Sequence, residues 1–144
     1  MCTTTSGSVR IALCNELLRG PWERVVEVAS ELGFEGLEVA PFTLTDDVRK
    51  LGRAERARLR EEAERYGLRV SGLHWLLVSP PGLHLAHPDE LVRRKTVEYM
   101  GELARFCSDL GGELLVLGSP KQRSTLPGQS REEAWALLRE SLKA

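Results

Sequence analysis

Three residues with the chemistry of metal ligands and proton carriers stand at the ends of short apolar segments. Glu16 and Glu38 each follow small or apolar residues, and His74 comes near the end of the run LRVSGLHWLL. Two carboxylates and an imidazole could bind a divalent metal ion, hold sugar hydroxyl groups or move protons. Each glutamate also fits an ordinary surface position, whereas a histidine at a strand's end favours a functional role. His84 and His87 are interpreted as loop and helix-cap residues.

Other candidates follow the third and fourth apolar segments. Trp75 comes directly after His74, and its large aromatic side chain is most simply a packing residue. In the loop GSPKQR, Lys121 and Arg123 could clamp a phosphate or a carboxylate, and the alternative is a solvated basic loop. The loop lacks the G-x-x-x-x-G-K-[ST] spacing, which excludes a P-loop.

These residues must be positioned by an alternation of strands and helices. Four apolar segments rich in Val, Leu and Ile alternate with four longer amphipathic stretches. The apolar segments are residues 9–17, 34–42, 68–77 and 113–120. This alternation predicts an α/β fold of four βα units with parallel strands.

Helix boundaries are marked by proline, glycine and a capping pattern. Pro21 and Pro88 fit first helical positions, and Ser130 with Glu133 fits a capping box. The glycines expected to end helices are Gly33, Gly67 and Gly111. The stripe predicted to face the core in the first helix is Val25, Val28, Ala29 and Leu32.

Strand alternation predicts which residues share a face. Leu37 and Val39 would pack against helices, which leaves Glu38 on the opposite face. On one face of successive strands, small residues are followed by a polar residue. This pattern fits a closed barrel whose interior is crowded halfway along its axis. Because ligands bind at the carboxyl ends of parallel strands, we expect Glu16, Glu38 and His74 to converge at the mouth of such a barrel.

Length and composition are those of one soluble domain. The chain has 144 residues, a formal net charge of −1 and three cysteines without a C-x-x-C pair. The charge disfavours a nucleic-acid partner, and the cysteine pattern favours a reduced protein. No uncharged apolar run approaches 18 residues and the start lacks a signal-peptide pattern, so we expect a cytoplasmic protein without membrane contact. Residues 1–8 are predicted to be a disordered tail, and residues 9–144 the domain.

The segments LCNELL, GFEGLEVAPF, SGLHWLL and LGGELLVLGSPKQR resemble the first four strands of the xylose isomerase-like TIM barrels. The resemblance implies a sugar or sugar-phosphate substrate, a divalent metal (Mn, Mg, Co or Zn) and proton transfer next to a carbonyl. It also implies that Glu38 and His74 line the pocket, and that His74 resembles a zinc ligand of the family's apurinic endonucleases. Ser119 and Arg123 match the end of the fourth strand and its loop.

The resemblance covers only half of a barrel. A complete TIM barrel has eight βα units and typically about 250 residues, and the resemblance implies that the main metal ligands belong to the second half. We therefore expect the N-terminal half of a metal-dependent isomerase or epimerase, inactive alone. Truncation, a missing C-terminal half and a homodimer of half-barrels all remain open. The alternatives are a non-catalytic self-associating half-barrel or remnant and, less favoured by the charge, an apurinic endonuclease.

Overall fold

The computed structural model describes residues 9–144, so the predicted tail at 1–8 lies outside the described residues. Four parallel strands pair in sequence order, and a helix follows each strand. The strands are β1 (Ala12–Cys14), β2 (Gly36–Val39), β3 (Arg69–Leu73) and β4 (Leu114–Leu115). The helices are α1 (Trp22–Glu31), α2 (Arg53–Arg65), α3 (Glu90–Asp109) and α4 (Arg131–Ser141). The α/β prediction of four βα units is confirmed.

The core lies between the sheet and the helices. Leu37, Val39 and Leu73 have no exposed surface, and Leu103 and Phe106 of α3 are equally buried. Val39 pairs with Leu73, so these two side chains occupy one register row on the helix-facing side of the sheet. The alternation predicted for β2 is therefore realised.

The other face of the sheet carries a second register row, in which Cys14, Glu38, Gly72 and Leu114 are successive partners. Glycine is required at position 72, because a Cβ atom there would collide with the backbone carbonyl oxygen of Leu114. The absence of a side chain thus lets β4 approach β3 closely. We call the face that carries this row the inner face.

The strands are shorter than the apolar segments that predicted them. β1 ends at Cys14, because the chain turns into a 3-10 segment, Asn15–Leu17. Further 3-10 segments lie in the loops after β2 and β4, at Pro41–Thr43, Val48–Lys50 and Pro120–Gln122. Each strand therefore stops where its loop begins, and the polar ends of the predicted segments belong to loops.

The predicted helix ends are partly correct. Gly33, Gly67 and Gly111 have φ angles of +81°, +74° and +84°, which confirms them as helix-ending glycines. The Ser130 hydroxyl accepts a hydrogen bond from the Glu133 amide, as an N-cap should. The proline positions were wrong: Pro21 is the N-cap itself, and Pro88 precedes Asp89, which caps α3.

One residue of the predicted α1 stripe does not face the core. Leu32 is 63% exposed, because the helix ends at Glu31 and the chain turns there. Trp22 and Val26 are buried instead, and the Trp22 indole N–H donates to the Leu59 carbonyl oxygen at 2.9 Å. Between residues 9 and 144, no helix is both long enough and apolar enough to cross a membrane.

Candidate functional site

The structure brings Glu16, Glu38 and His74 together at the carboxyl ends of three successive strands. Glu38 lies on β2, Glu16 lies in the 3-10 segment after β1, and His74 directly follows β3. His74 Nε2 is 2.8 Å from Glu16 Oε2, and His74 Nδ1 is 3.2 Å from Glu38 Oε1. One imidazole therefore lies between two carboxylates, and we call these three residues the acidic–imidazole cluster.

The cluster is largely shielded from water but remains accessible. The side chains of His74, Glu16 and Glu38 are 9%, 23% and 26% exposed. A neutral imidazole has one N–H donor and one lone pair, so it can donate to only one carboxylate. His74 Nδ1 makes no hydrogen bond despite its proximity to Glu38. A proton or a cation is needed to make both nitrogen–carboxylate contacts favourable.

Cys14 extends the cluster toward β1. Its Sγ atom, a carboxylate oxygen of Glu16 and a ring nitrogen of His74 all lie within 4.8 Å of one another. Burial raises the pKa of the Cys14 thiol, and the negative charges of Glu16 and Glu38 raise it further. Thiolate, carboxylate and imidazole are all donor types that bind divalent metals, so these residues fit such an ion. Sequence analysis assigned Cys14 no role.

A buried asparagine fixes the backbone between Cys14 and Glu16. Asn15 is 2% exposed, its Oδ1 accepts from the Ala40 amide at 2.7 Å, and its Nδ2 donates to Thr43 Oγ1 at 2.8 Å. The loop after β1 is thereby joined to the loop after β2. Sequence reasoning missed Asn15, whose only signal was a strongly polar side chain at the end of an apolar segment.

Trp75 does not pack in the core, and that interpretation was wrong. Its φ angle is +52°, in the left-handed region that favours glycine, and the residue is 40% exposed. The amide of His74 still donates to the Val39 carbonyl oxygen at 3.0 Å, so strand pairing continues up to this point. The left-handed conformation then turns the chain out of the sheet and leaves the indole at the surface.

The loop after β4 is tied to the loop after β3. Ser119 has no exposed surface, and its hydroxyl accepts from the Leu77 amide at 3.1 Å. Lys121 and Arg123 are exposed, and Arg123 Nε donates to the Gly118 carbonyl oxygen at 3.0 Å. Among residues 9–144, no hydrogen bond or ion pair joins Lys121 or Arg123 to the acidic–imidazole cluster.

A cavity of about 930 Å³ lies at the opposite end of the sheet. Charged residues of both signs line it, among them Arg10, Glu35, Arg69 and Glu113. These residues stand at or before the starts of the strands. Catalytic residues of parallel barrels come from the carboxyl ends of strands, so the acidic–imidazole cluster remains the candidate site.

A sequence model of the xylose isomerase-like TIM barrel family matches residues 26–144. The chain belongs to this family. The match begins in α1 and runs through β2, β3 and β4 to the last residue, so it includes Glu38 and His74 but not Cys14 or Glu16. Among curated protein sequences, none matches the chain significantly.

Solved structures with a similar fold include sugar epimerases. D-psicose 3-epimerase from Clostridium cellulolyticum, solved with D-tagatose, is 17% identical with a TM-score of 0.68 over 87% of this chain and 42% of its own. 3-Keto-D-glucoside 4-epimerase from E. coli is 14% identical, with a TM-score of 0.63 over 93% of this chain and 48% of its own. A sugar phosphate isomerase/epimerase from Parabacteroides distasonis is 15% identical, with a TM-score of 0.61 over 97% of this chain and 47% of its own. The chain thus spans less than half the length of these proteins.

Proposed function

We propose that this chain forms the N-terminal half of a metal-dependent sugar or sugar-phosphate isomerase or epimerase. The observation that carries the proposal is the convergence of Glu16, Glu38 and His74 at the carboxyl ends of β1, β2 and β3. That is the end of a parallel barrel at which substrates bind. Family membership and the fold shared with sugar epimerases support the same reading.

Each candidate residue has a role that its chemistry permits. The carboxylates of Glu16 and Glu38 accept hydrogen bonds from sugar hydroxyl groups, and His74 can donate or accept one. The exposed indole of Trp75 offers an apolar surface to the carbon face of a sugar. Lys121 and Arg123, which are exposed in the loop after β4, would hold an anionic group such as a phosphate. Ser119 would act indirectly, since its hydroxyl positions the loop through Leu77.

The proposed reaction moves one proton next to a carbonyl group. A base removes the proton from the neighbouring carbon and an enediolate forms; an acid then returns a proton to the other face or to the adjacent carbon. A divalent ion (Mn, Mg, Co or Zn), when bound, supplies positive charge that polarises the sugar oxygens. The acid–base pair and the main metal ligands are proposed to lie in a second half, so this chain alone is expected to be inactive.

Deuterium exchange tests this proposal. The product of the entire reading frame that contains this chain, and the 144-residue chain by itself, are incubated with ketohexoses and their phosphates in D₂O. We expect deuterium at the carbon next to the carbonyl with a completed barrel and none with the chain alone. Glu38→Gln should reduce the exchange at least about tenfold, whereas Glu35→Gln, at the opposite end of the sheet, should not. A completed barrel without exchange on any of these substrates would contradict the proposal.

A second candidate function is non-catalytic self-association. Its support is the exposure of apolar side chains at the β4 edge, where Leu114 is 46% and Val116 is 43% exposed. Within residues 9–144, the strand order leaves β1 and β4 unpaired on their outer sides, so two copies could pair β4 with β1 twice. If sedimentation shows a stable dimer and the reading frame encodes no further βα units, this candidate replaces the first.

A further inference from the structure

The donor atoms of Cys14, Glu16 and His74 are spaced closely enough to share one ion. They lie within 4.8 Å of one another, and the His74–Glu16 pair is 2.8 Å apart. In tetrahedral zinc sites the ligand atoms are roughly 3.2–3.8 Å apart, given bonds of about 2.0–2.3 Å. The His74–Glu16 pair is closer than this range and no pair is more than 4.8 Å apart, and Glu16 is partly exposed and can adjust by rotation. Small side-chain movements therefore suffice to complete the geometry.

The charge balance around these donors favours a cation. Glu16 and Glu38 each contact His74, and neither forms an ion pair with a lysine or an arginine anywhere in residues 9–144. A single imidazolium would neutralise only one of the two carboxylates. A divalent cation compensates both carboxylate charges and replaces the unfavourable approach of a nitrogen lone pair to a carboxylate oxygen. The Cys14 thiolate adds a third negative charge when the thiol loses its proton to bind the ion.

The surroundings of His74 are those of an oriented metal ligand. The side chain is more than nine-tenths buried, and Nδ1, which faces Glu38, has no hydrogen bond. Histidines that bind metals commonly donate the second ring N–H to a carboxylate. Glu38 Oε1, 3.2 Å from Nδ1, is near enough to accept that bond once Nε2 binds an ion. Nε2, the nitrogen that would coordinate, points to Glu16. Asn15 holds the backbone between Cys14 and Glu16 in place.

We infer that Cys14, Glu16 and His74 bind one divalent ion of the zinc and cobalt class, with Glu38 as the residue that positions His74. The thiolate donor sets the preference, because sulfur ligands favour Zn²⁺ over Mg²⁺ and Mn²⁺. Three protein ligands leave the fourth tetrahedral position for water or a ligand oxygen. This inference goes beyond the proposed function, since it needs neither a sugar nor the second half of a barrel.

Cobalt spectroscopy on the purified 144-residue chain tests the inference. Co²⁺ is titrated into the chain without sugar, and thiolate-to-cobalt charge transfer in the near ultraviolet is recorded with the visible bands of tetrahedral cobalt. We expect both signals at one ion per chain, displacement by Zn²⁺, and no displacement by an equal concentration of Mg²⁺. Absence of the charge-transfer band in the wild-type chain at saturating Co²⁺ would overturn the inference.

Matched variants locate the site. Cys14→Ser should abolish the charge-transfer band, whereas Cys2→Ser should leave it unchanged and so exclude the N-terminal thiol. His74→Gln should weaken Zn²⁺ binding severely, and Glu38→Gln by about 10- to 100-fold, as expected for a carboxylate that orients a ligand. A band that persists in folded Cys14→Ser, as judged by circular dichroism, would contradict the assignment. Because no sugar is present, these outcomes are independent of the deuterium-exchange test.

Discussion

The two faces of the four-stranded sheet differ in what they bury. On the helix-facing side, Val39 and Leu73 share a register row and have no exposed surface. On the inner face, the row that includes Glu38 carries a thiol and a carboxylate and ends at Leu114, which is 46% exposed. Burial of apolar area is the main stabilising contribution to a fold. The difference therefore indicates that stability resides on one face and the candidate chemistry on the other.

The largest expected effect comes from truncating a helix-facing side chain. Leu73→Ala removes a fully buried side chain and leaves a cavity, so the free energy of unfolding should fall by about 2–5 kcal/mol. Leu114→Ala, on the neighbouring strand but on the inner face, should cost about 0.5 kcal/mol or less, because its side chain is already half exposed. Urea denaturation of both variants measures the difference. Equal losses would show that the inner face is covered in solution.

A smaller effect is expected where the loops that carry the acidic–imidazole cluster are joined. Asn15→Ala removes a buried hydrogen bond from the Ala40 amide and a partly buried one to Thr43, and it leaves that amide without its side-chain partner. The free energy of unfolding should fall by about 1–3 kcal/mol. If Asn15 also holds Cys14 and Glu16 in register, Zn²⁺ affinity measured by calorimetry should fall in the folded variant. Thr43→Ser keeps the hydroxyl that accepts from Asn15 and donates to the Ala40 carbonyl oxygen, so it is the matched control and should have the smaller effect.

The elements of this fold could be predicted from sequence because their signals are local. Apolar segments alternate with amphipathic stretches, and glycines such as Gly33 end helices through their own backbone freedom. The two faces of β2 also followed from alternation alone, as the complete burial of Leu37 and Val39 shows. Strand ends were less well predicted, because a strand stops where its neighbour no longer pairs with it.

The site was only partly predictable, because contacts between strands depend on register and sheet curvature. The sequence placed Glu16, Glu38 and His74 at the same end of the sheet, but not at hydrogen-bond distance from one another. The surface position of Trp75 follows from a φ angle of +52°, which no local signal indicated. A residue such as Asn15 becomes informative only when its partners, far along the chain, are known.

The smallest expected effect concerns the loop that links β3 to α3. His84 is 7% exposed, and its Nδ1 accepts a hydrogen bond from the Ala86 amide at 3.1 Å. Burial lowers the pKa of His84 from the usual 6.5, and His87, whose ring lies 6.0 Å away, lowers it further. Because the unfolded chain then binds a proton more readily than the folded chain, stability is complete above about pH 6.5 and falls as the pH drops toward the lower folded-state pKa.

His84→Asn separates this titration from the packing of the loop, because the asparagine oxygen can still accept from the Ala86 amide while the side chain no longer takes up a proton. The melting temperature of the wild-type chain should fall more between about pH 7.5 and about pH 5.5 than that of the variant. His87→Asn, which leaves His84 in place, should keep most of the pH dependence. If the wild type and His84→Asn lose the same stability over this interval, His84 is not the source of the acid sensitivity.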